Sequence, residues 1–206
     1  MRKLTLILAT AISMAAPYIA TAAGGPTGAC KLIAQSEITA LNLHIEGEPY
    51  EDGVNVPKGV SGAPTDIWSS ICTINLGKKG AQFISVAIHN FSTPVTIEEL
   101  DAWEDAKGGF DDITRTRTGE ITCEVGQYDY LSGKDGKPSI VQYYEACDEL
   151  VGGKQRLVIN LQMDEKTALP PIDKIKELLE VALKHMTPQL QANPAKSDAR
   201  RETPAA

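Results

Sequence analysis

The sequence has few of the residues from which enzymes most often build an active site. Only three histidines occur among 206 residues, and no two of them stand at a spacing typical of metal ligands. His89 alternates with the apolar residues of a predicted strand, so we expect it to face solvent. Ser61 lies in Gly-Val-Ser-Gly-Ala, which lacks the last glycine of a Gly-x-Ser-x-Gly elbow, and phosphate-binding glycine loops are missing. These absences predict a protein that is not an enzyme and that needs no cofactor or metal.

Acidic residues are common, but they follow no recognised ligand pattern. Five of them cluster at Asp101, Glu104, Asp105, Asp111 and Asp112, without the Asp-x-Asp-x-Asp-Gly order of a calcium loop. We interpret this cluster as a solvated helix face. A hydrolase with two carboxylates far apart in sequence stays open as a hypothesis, because such pairs leave no local motif.

Basic residues are too few for a typical nucleic-acid-binding protein. Lysine and arginine total 20 against 27 acidic residues, which gives a formal net charge of −7. An acidic chain is repelled by nucleic acid and by anionic membrane surfaces, so we predict neither as a partner. The charge suits a basic partner, although solubility alone also accounts for it.

Long apolar runs are absent except at the start of the chain. Arg2 and Lys3 precede that run, and an Ala-x-Ala pattern ending at Ala22 follows it, which is typical of a secretory signal peptide over residues 1–22. We therefore expect a periplasmic or secreted protein with no membrane span after cleavage. An uncleaved membrane anchor and a lipoprotein modified at Cys30 are the alternatives.

All four cysteines follow the predicted signal peptide, and none belongs to a Cys-x-x-Cys pair that would favour zinc. An even number in an exported chain predicts two disulfides, for which three pairings exist. A hairpin turn at Asp135-Gly136 places residue 123 opposite about residue 148. This favours a Cys123–Cys147 disulfide and, by elimination, a Cys30–Cys72 disulfide.

Runs of β-forming residues predict the strands. The runs at 67–76 and 83–91 form one pair, and three further strands follow between residues 118 and 163, separated by Asp-Gly and Gly-Gly turns. A short strand is predicted at 43–48. The segment 48–65 is rich in proline and glycine, which predicts a long irregular loop.

Capping signals and a 3.6-residue periodicity predict three helices. The first begins at Ser36, and the second begins at a capping box formed by Thr96 and Glu99. The third begins at Ile172 and ends at Pro188. We expect the second helix to pack through an apolar stripe made of Ile97, Leu100 and Trp103.

Together these elements predict an α+β fold. Residues 23–187 are expected to form a single domain, with an antiparallel sheet of five or six strands, helices packed mainly on one side, and two disulfides. Residues 188–206 are rich in proline, alanine and charge, which is typical of a disordered tail.

Aromatic residues indicate where a ligand could bind. Tyrosines cluster in the first hairpin of the last three strands, and neighbouring tyrosines on one strand must point to opposite faces. An exposed tyrosine pair suits a binding surface, whereas cross-strand packing beside a disulfide is the alternative. Trp68 stands where the long loop meets a strand, either in the core or at a pocket rim. We predict ligand-binding residues at Trp68, Tyr128, Tyr130 and Tyr143.

The opening of the mature chain carries a resemblance. Residues 30–41 read Cys-Lys-Leu-Ile-Ala-Gln-Ser-Glu-Ile-Thr-Ala-Leu, and Cys72 follows at a predicted strand. This resembles the small exported bacterial domains of unknown function that begin Cys-x-Leu-Leu-Thr-x-x-Glu. Those domains are often lipoproteins and are similar to the extracellular sensor domain of a mycobacterial serine/threonine kinase. The resemblance implies ligand sensing or an accessory envelope role, although Asn42 replaces the family's glycine and the lipobox is missing.

The combined features predict an exported, non-enzymatic binding or accessory protein of the bacterial envelope. Its partner would be a small ligand or an envelope protein that the sequence does not identify. The alternative is a secreted inhibitor of an extracellular enzyme such as a lysozyme or a protease, because small disulfide-linked domains suit that task and acidic charge steers toward a basic enzyme.

Overall fold

A computed structural model describes residues 28–77, 82–107, 111–130 and 140–192. One antiparallel sheet dominates this part of the chain. Its seven strands are β1 (Tyr50–Val56), β2 (Ile67–Asn75), β3 (Phe83–Phe91), β4 (Asp111–Thr118), β5 (Ile121–Tyr130), β6 (Ile140–Val151) and β7 (Gln155–Met163). They lie side by side in the order β1-β2-β3-β7-β6-β5-β4. Three α-helices accompany them, α1 (Gln35–Thr39), α2 (Ile97–Lys107) and α3 (Ile172–Ala192).

The α+β class and the antiparallel sheet agree with the sequence prediction, but the predicted five or six strands are wrong, because the sheet has seven. The strand β1 lies inside the segment predicted to be an irregular loop, and the segment 43–48 predicted as a strand forms none. Six of the seven β1 residues are exposed, so β1 lacks the alternation that identifies a half-buried strand. Its pairing comes from β2, which lies beyond the loop in sequence.

The two faces of the sheet are covered differently. We call the face that carries α3 the helix face and the opposite one the outer face. Alternate residues of β2, β3 and β7, such as Cys72, Val86 and Ile159, point to the helix face and are almost fully buried. The N-terminal segment and α3 pack on this face and complete the main hydrophobic core. The helix α2 lies on the outer face, where it contributes to a smaller apolar cluster.

Two disulfides hold the sheet, and both predicted pairings are confirmed. Cys123 and Cys147 stand directly opposite each other on β5 and β6 and form a disulfide. Cys30 is linked to Cys72, so the N-terminal 3-10 turn at Ala29–Lys31 is tied to β2. Because its sulfur takes part in this disulfide, Cys30 has no thiol free for lipid attachment.

The helix ends follow the sequence prediction in part. Thr96 and Glu99 form the predicted capping box, since the Thr96 amide donates to Glu99 Oε2 at 2.8 Å and the Glu99 amide donates to Thr96 Oγ1 at 3.2 Å. The first helix begins at Gln35, one residue before the predicted Ser36 cap. The third helix continues through Pro188 to Ala192, because a proline removes one amide donor without having to end a helix.

Asn42 explains how the chain leaves α1 without the glycine of the resembling domains. Its φ is 61°, in the left-handed region that non-glycine residues rarely adopt. Asparagine is among the few residues that tolerate this conformation, so it serves where glycine is usual. The segment is further held by His185 of α3, whose Nδ1 lies 2.9 Å from the Leu32 carbonyl oxygen.

Candidate functional site

The outer face contains a buried ion-pair network beneath α2. Arg156 of β7 points to this face and is only 6% exposed. Its Nε donates to Asp148 Oδ2 on β6 at 2.8 Å, while its two terminal nitrogens contact Glu104 of α2 at 2.5 and 3.2 Å. Burial by itself would lower the pKa of Arg156, but Asp148 and Glu104 raise it above the ordinary value. Arg156 is therefore a permanent cation that joins α2 to the sheet.

A second group of ion pairs continues along α2 to the edge strand β4. Arg115 Nε lies 2.5 Å from Glu124 Oε1, and its terminal nitrogens lie 3.8 Å from Asp101 and 3.5 Å from Asp105. Arg117 Nη2 donates to the same Asp101 at 3.0 Å. Burial raises the pKa of Glu124 even though Arg115 acts in the opposite sense.

The α2 part of the acidic cluster, predicted to be a solvated helix face, is therefore mainly a surface that attaches α2 to the sheet. The side chains of Asp111 and Asp112 lie outside the described residues. Asp101 and Glu104 contact arginines of the sheet, whereas Asp105 keeps a largely exposed side chain. Sequence reasoning missed this role because Arg156 lies 52 positions after Glu104. One sequence feature could have indicated this contact. Arg156 stands in a strand and alternates with the buried Leu157 and Ile159, so it points to the other face of the sheet, where acidic residues could pair with it.

The other half of the outer face, over β1, β2 and β3, carries small polar groups. Ser69 and His89 stand opposite each other on β2 and β3, with the hydroxyl oxygen 2.7 Å from Nδ1. His89 therefore points to the outer face, but it does not face solvent as predicted, because it is partly buried and hydrogen-bonded to Ser69. A serine hydroxyl bonded to an imidazole is one component of nucleophilic catalysis, so this pair is where hydrolytic activity should be tested.

Exposed large apolar residues concentrate at the β1 end of the sheet. Tyr50 and Val54 on β1 are 48% and 42% exposed, and Val60 and Trp68, which follow β1, are 50% and 57% exposed. Among the described residues only one further large apolar side chain is this exposed, Ile113 on β4 at 39%. An exposed apolar group of this kind is typical of an interaction surface.

The loop between β1 and β2 presents Val60 in a fixed conformation. The Gly59 amide donates to the Ala63 carbonyl at 2.9 Å, which closes the turn. Ser61 at its centre has φ 50°, a left-handed conformation that must be supported by its surroundings. Support comes from α2, because Trp103 Nε1 donates to the Ser61 carbonyl oxygen at 2.9 Å.

The predicted ligand-binding residues occupy separate parts of the molecule. Trp68 is exposed near the β1 edge, and Tyr143 is partly buried on β6, opposite Met163. Both point to the helix face, but β3 and β7 separate their strands by about 14 Å, and the register places the two residues about 26 Å apart along the strands as well. The side chains of Tyr128 and Tyr130 on β5 lie outside the described residues.

Tyr144, which neighbours Tyr143, points to the outer face as strand alternation requires, but it is buried. It is 3% exposed, and its ring occupies the space where a Cβ at Gly126 would stand. The tyrosine therefore packs over a glycine of the adjacent strand, which replaces the missing side chain and supports the sheet. For this residue cross-strand packing is the observed arrangement.

Glu145 is a buried carboxyl on the helix face. It is 7% exposed, and its Oε2 has no hydrogen-bond partner among the residues described. Burial raises its pKa from 4.5 to about 7. The group is consequently protonated in the folded protein below neutral pH.

A surface cavity of about 340 Å³ lies where α1 ends and α3 begins. Leu41, Leu169 and Lys174 line it together with Pro170 and Pro171. Within the described ranges no group of three or more potential metal-ligating side chains converges. No helix in the same part of the chain is long and apolar enough to cross a membrane.

Comparisons with known proteins add no relative to these observations. Searches of protein-family models, curated proteins and solved structures find no match to this chain.

Proposed function

We propose that this chain is an exported, non-enzymatic binding or accessory protein of the bacterial envelope, which contacts its partner at the β1 end of the sheet. The observation that carries the proposal is the concentration of exposed apolar side chains around the β1 edge, with far less apolar exposure elsewhere in the described residues. Tyr50 and Val54 border this edge on the outer face, and Trp68 borders it on the helix face. Burying such side chains in a complex would contribute favourable free energy that they lack in the free protein.

The construction of the sheet supports a binding role. Cys30–Cys72 and Cys123–Cys147 fix its two halves, and disulfides of this kind persist in oxidising compartments outside the cytoplasm. A rigid surface loses little conformational entropy when a partner binds. Ligand sensing, which the resemblance of residues 30–41 implies, is part of the same proposal.

The test is capture of partners from envelope extract by the mature protein, followed by native mass spectrometry. We expect a bound ligand or protein partner, and we expect its recovery to fall when Trp68 and Tyr50 are both replaced by alanine. Ile113→Ala is the matched control, because Ile113 is also a large exposed apolar residue but lies on the opposite edge strand. Equal recovery by the double variant and the control would contradict the proposed surface.

An enzymatic result would overturn the proposal. If a broad substrate screen finds turnover that Ser69→Ala abolishes, the Ser69–His89 pair is catalytic and the protein is a hydrolase. Turnover that survives this substitution would point to the dispersed carboxylates instead.

A secreted enzyme inhibitor is the second candidate, and the loop that presents Val60 favours it. The hydrogen bonds at Gly59 and Ser61 hold this exposed residue in one conformation, as a loop that enters an enzyme cleft requires. We would measure inhibition of a panel of lysozymes and proteases, with Val60→Asp as the disabling variant. No inhibition at micromolar protein would exclude this candidate.

A further inference from the structure

The sheet has two edge strands, and they are built differently. On β4 the register shifts between Asp111 and Thr114, and the following arginines are held by acidic residues of α2. On β1 all seven residues, Tyr50–Val56, pair with β2 in an unbroken register. Natural proteins protect sheet edges with irregular pairing and charge, so β4 is protected against an added strand, whereas β1 is regular.

The free side of β1 offers backbone groups for pairing. In the described residues β1 has a single neighbouring strand, β2, and ends the sheet. Six of its seven residues are exposed, and within the described residues no strand or helix is paired with its free side. An uncovered strand of this length can accept an extended segment through main-chain hydrogen bonds.

The side chains of β1 define what segment would fit. Tyr50, Asp52 and Val54 point to the outer face in an apolar, acidic, apolar order. On the helix face, Glu51 is already engaged, because it accepts hydrogen bonds from the Ala29 amide at 3.2 Å and from the Ser70 hydroxyl at 2.6 Å. Selection of a partner would therefore depend on the outer face, with Asp52 as the free charge.

We propose that β1 accepts an extended, basic segment of a partner protein as an eighth strand of the sheet. A lysine or arginine would stand opposite Asp52, and apolar residues would stand opposite Tyr50 and Val54, because cross-strand pairs of these kinds are favourable. This inference rests on the proposed binding function and names the chemistry of its partner.

Charge argues against a second copy of the same chain as the occupant. Antiparallel pairing of two complete β1 strands is centred on Gly53, so Asp52 of one copy lies diagonally across from Asp52 of the other, about 7–8 Å away. Each chain also carries a net charge of −7. Like charges at close range disfavour this arrangement, whereas a basic segment gains from the same residues.

The test uses the mature protein with both disulfides intact and a seven-residue peptide, Thr-Val-Thr-Lys-Thr-Val-Thr, blocked at both ends. We expect chemical-shift changes in the backbone amides of Tyr50–Val56 on titration followed by NMR. Two peptides are N-methylated, one at the threonines and one at the valines and lysine; the peptide whose methyl groups face β1 should not bind, since it cannot complete the ladder, and the other should bind. A peptide with glutamate in place of lysine should bind at least about threefold more weakly.

The charge reversal Asp52→Lys should exchange these preferences, with at least about a threefold loss for the lysine peptide and a gain for the glutamate peptide. Asp105→Lys is the matched control, because Asp105 is an exposed acid of α2 that lies near β4, the opposite edge strand, and should leave both affinities unchanged. A variant that alters the charge of an exposed side chain is expected to fold.

Three results would overturn the inference. They are no binding at millimolar peptide, shifts confined to residues away from β1, and concentration-dependent dimerisation that Asp52→Lys strengthens or weakens. If envelope capture still depends on Tyr50 and Trp68 while the peptides fail, the binding function stands and the added strand is wrong. If capture fails as well, the proposed function falls with it.

Discussion

The two faces of the sheet hold their helices by different physical means. On the helix face, α3 presents five almost fully buried apolar residues to the core, Ile175, Leu178, Leu179, Ala182 and Met186. On the outer face, the described side chains of α2 include one completely buried apolar residue, Leu100, and carboxylates that meet Arg115, Arg117 and Arg156. One helix is attached mainly by the hydrophobic effect and the other largely by charge.

The two kinds of attachment affect two different properties, the stability of the fold and the position of a helix on the sheet. Burial of apolar surface is non-directional and scarcely depends on salt, so α3 supplies stability over a wide range of conditions. A buried ion pair balances Coulomb attraction against the cost of removing charges from water, so it adds little net stability. The ion pairs do, however, raise the free energy of any position of α2 in which a charged side chain lacks its partner. The ion pairs therefore fix where α2, and the loop it supports, lie on the sheet.

The largest expected effect is the removal of the central cation. Arg156→Met leaves Asp148, which is 3% exposed, without its partner, so the free energy of unfolding should fall by about 3–5 kcal/mol. Urea denaturation measures this loss. The control is the double variant Arg156→Met with Asp148→Leu, which removes both buried charges and should recover most of the stability. A double variant as unstable as the single one would show that the network is not held by charge pairing.

An apolar truncation on the opposite face should cost nearly as much without involving charge. Leu179→Ala removes a fully buried side chain of α3 and should lower the free energy of unfolding by about 2–5 kcal/mol. The loss should be the same at low and high salt. If the loss of unfolding free energy depends strongly on salt, then α3 is not attached mainly by the hydrophobic effect and the two faces do not differ as described.

Glu145 tests whether the helix face tolerates an ionised group. Burial raises its pKa to about 7, so the folded protein keeps this proton to higher pH than the unfolded chain does. The free energy of unfolding should therefore fall as the pH rises from about 4.5 to 7, by about 3 kcal/mol in total. Glu145→Gln should flatten this part of the stability profile and stabilise the protein above pH 7.

Glu177→Gln provides the control for that profile. Glu177 is an exposed carboxylate on α3, and its replacement should leave the pH dependence unchanged. If Glu145→Gln leaves the profile as steep as in the parent protein, Glu145 ionises near its ordinary pKa and water reaches it.

The smallest effect concerns the exposed end of the outer-face network. Arg117 contacts Asp101 at 3.0 Å but is 40% exposed, so Arg117→Gln should cost only about 0.2–1 kcal/mol. The cost should disappear at high salt, because screening acts on exposed pairs first. A loss comparable to that of the Arg156 variant would mean that α2 is held mainly at its β4 end.

The sequence predicts the helix face well and the outer face poorly, for one reason. The spacing of Ile172, Ile175 and Leu179 indicates which side of one helix is buried. The predicted hairpin turn indicates in the same way that Cys123 pairs with Cys147. No local sequence pattern predicts the contact of Arg156 with Glu104, since this contact depends on how the sheet brings β7 beneath α2. The strand β1 was missed likewise, because its pairing comes from β2.

The candidate site shows the same limit. Trp68 was predicted to bind a ligand, and it is exposed at the proposed surface, but its role stays a prediction. Sequence reasoning predicts ligand binding equally at the tyrosines of β5 and β6, which lie several strands away from Trp68. The sequence does not predict a binding role for Tyr50 and Val54, because a strand that is exposed on both faces has no hydrophobic pattern that distinguishes it from a loop.

The disulfides have a consequence for survival among proteases. Cys30–Cys72 encloses β1 and the loop that presents Val60, and Cys123–Cys147 encloses the connection between β5 and β6. A single cut inside either enclosed segment leaves both fragments covalently joined and still paired within the sheet. Such a nicked protein would migrate as one chain until reductant is added. A protease that cuts the exposed loop therefore releases no part of the molecule.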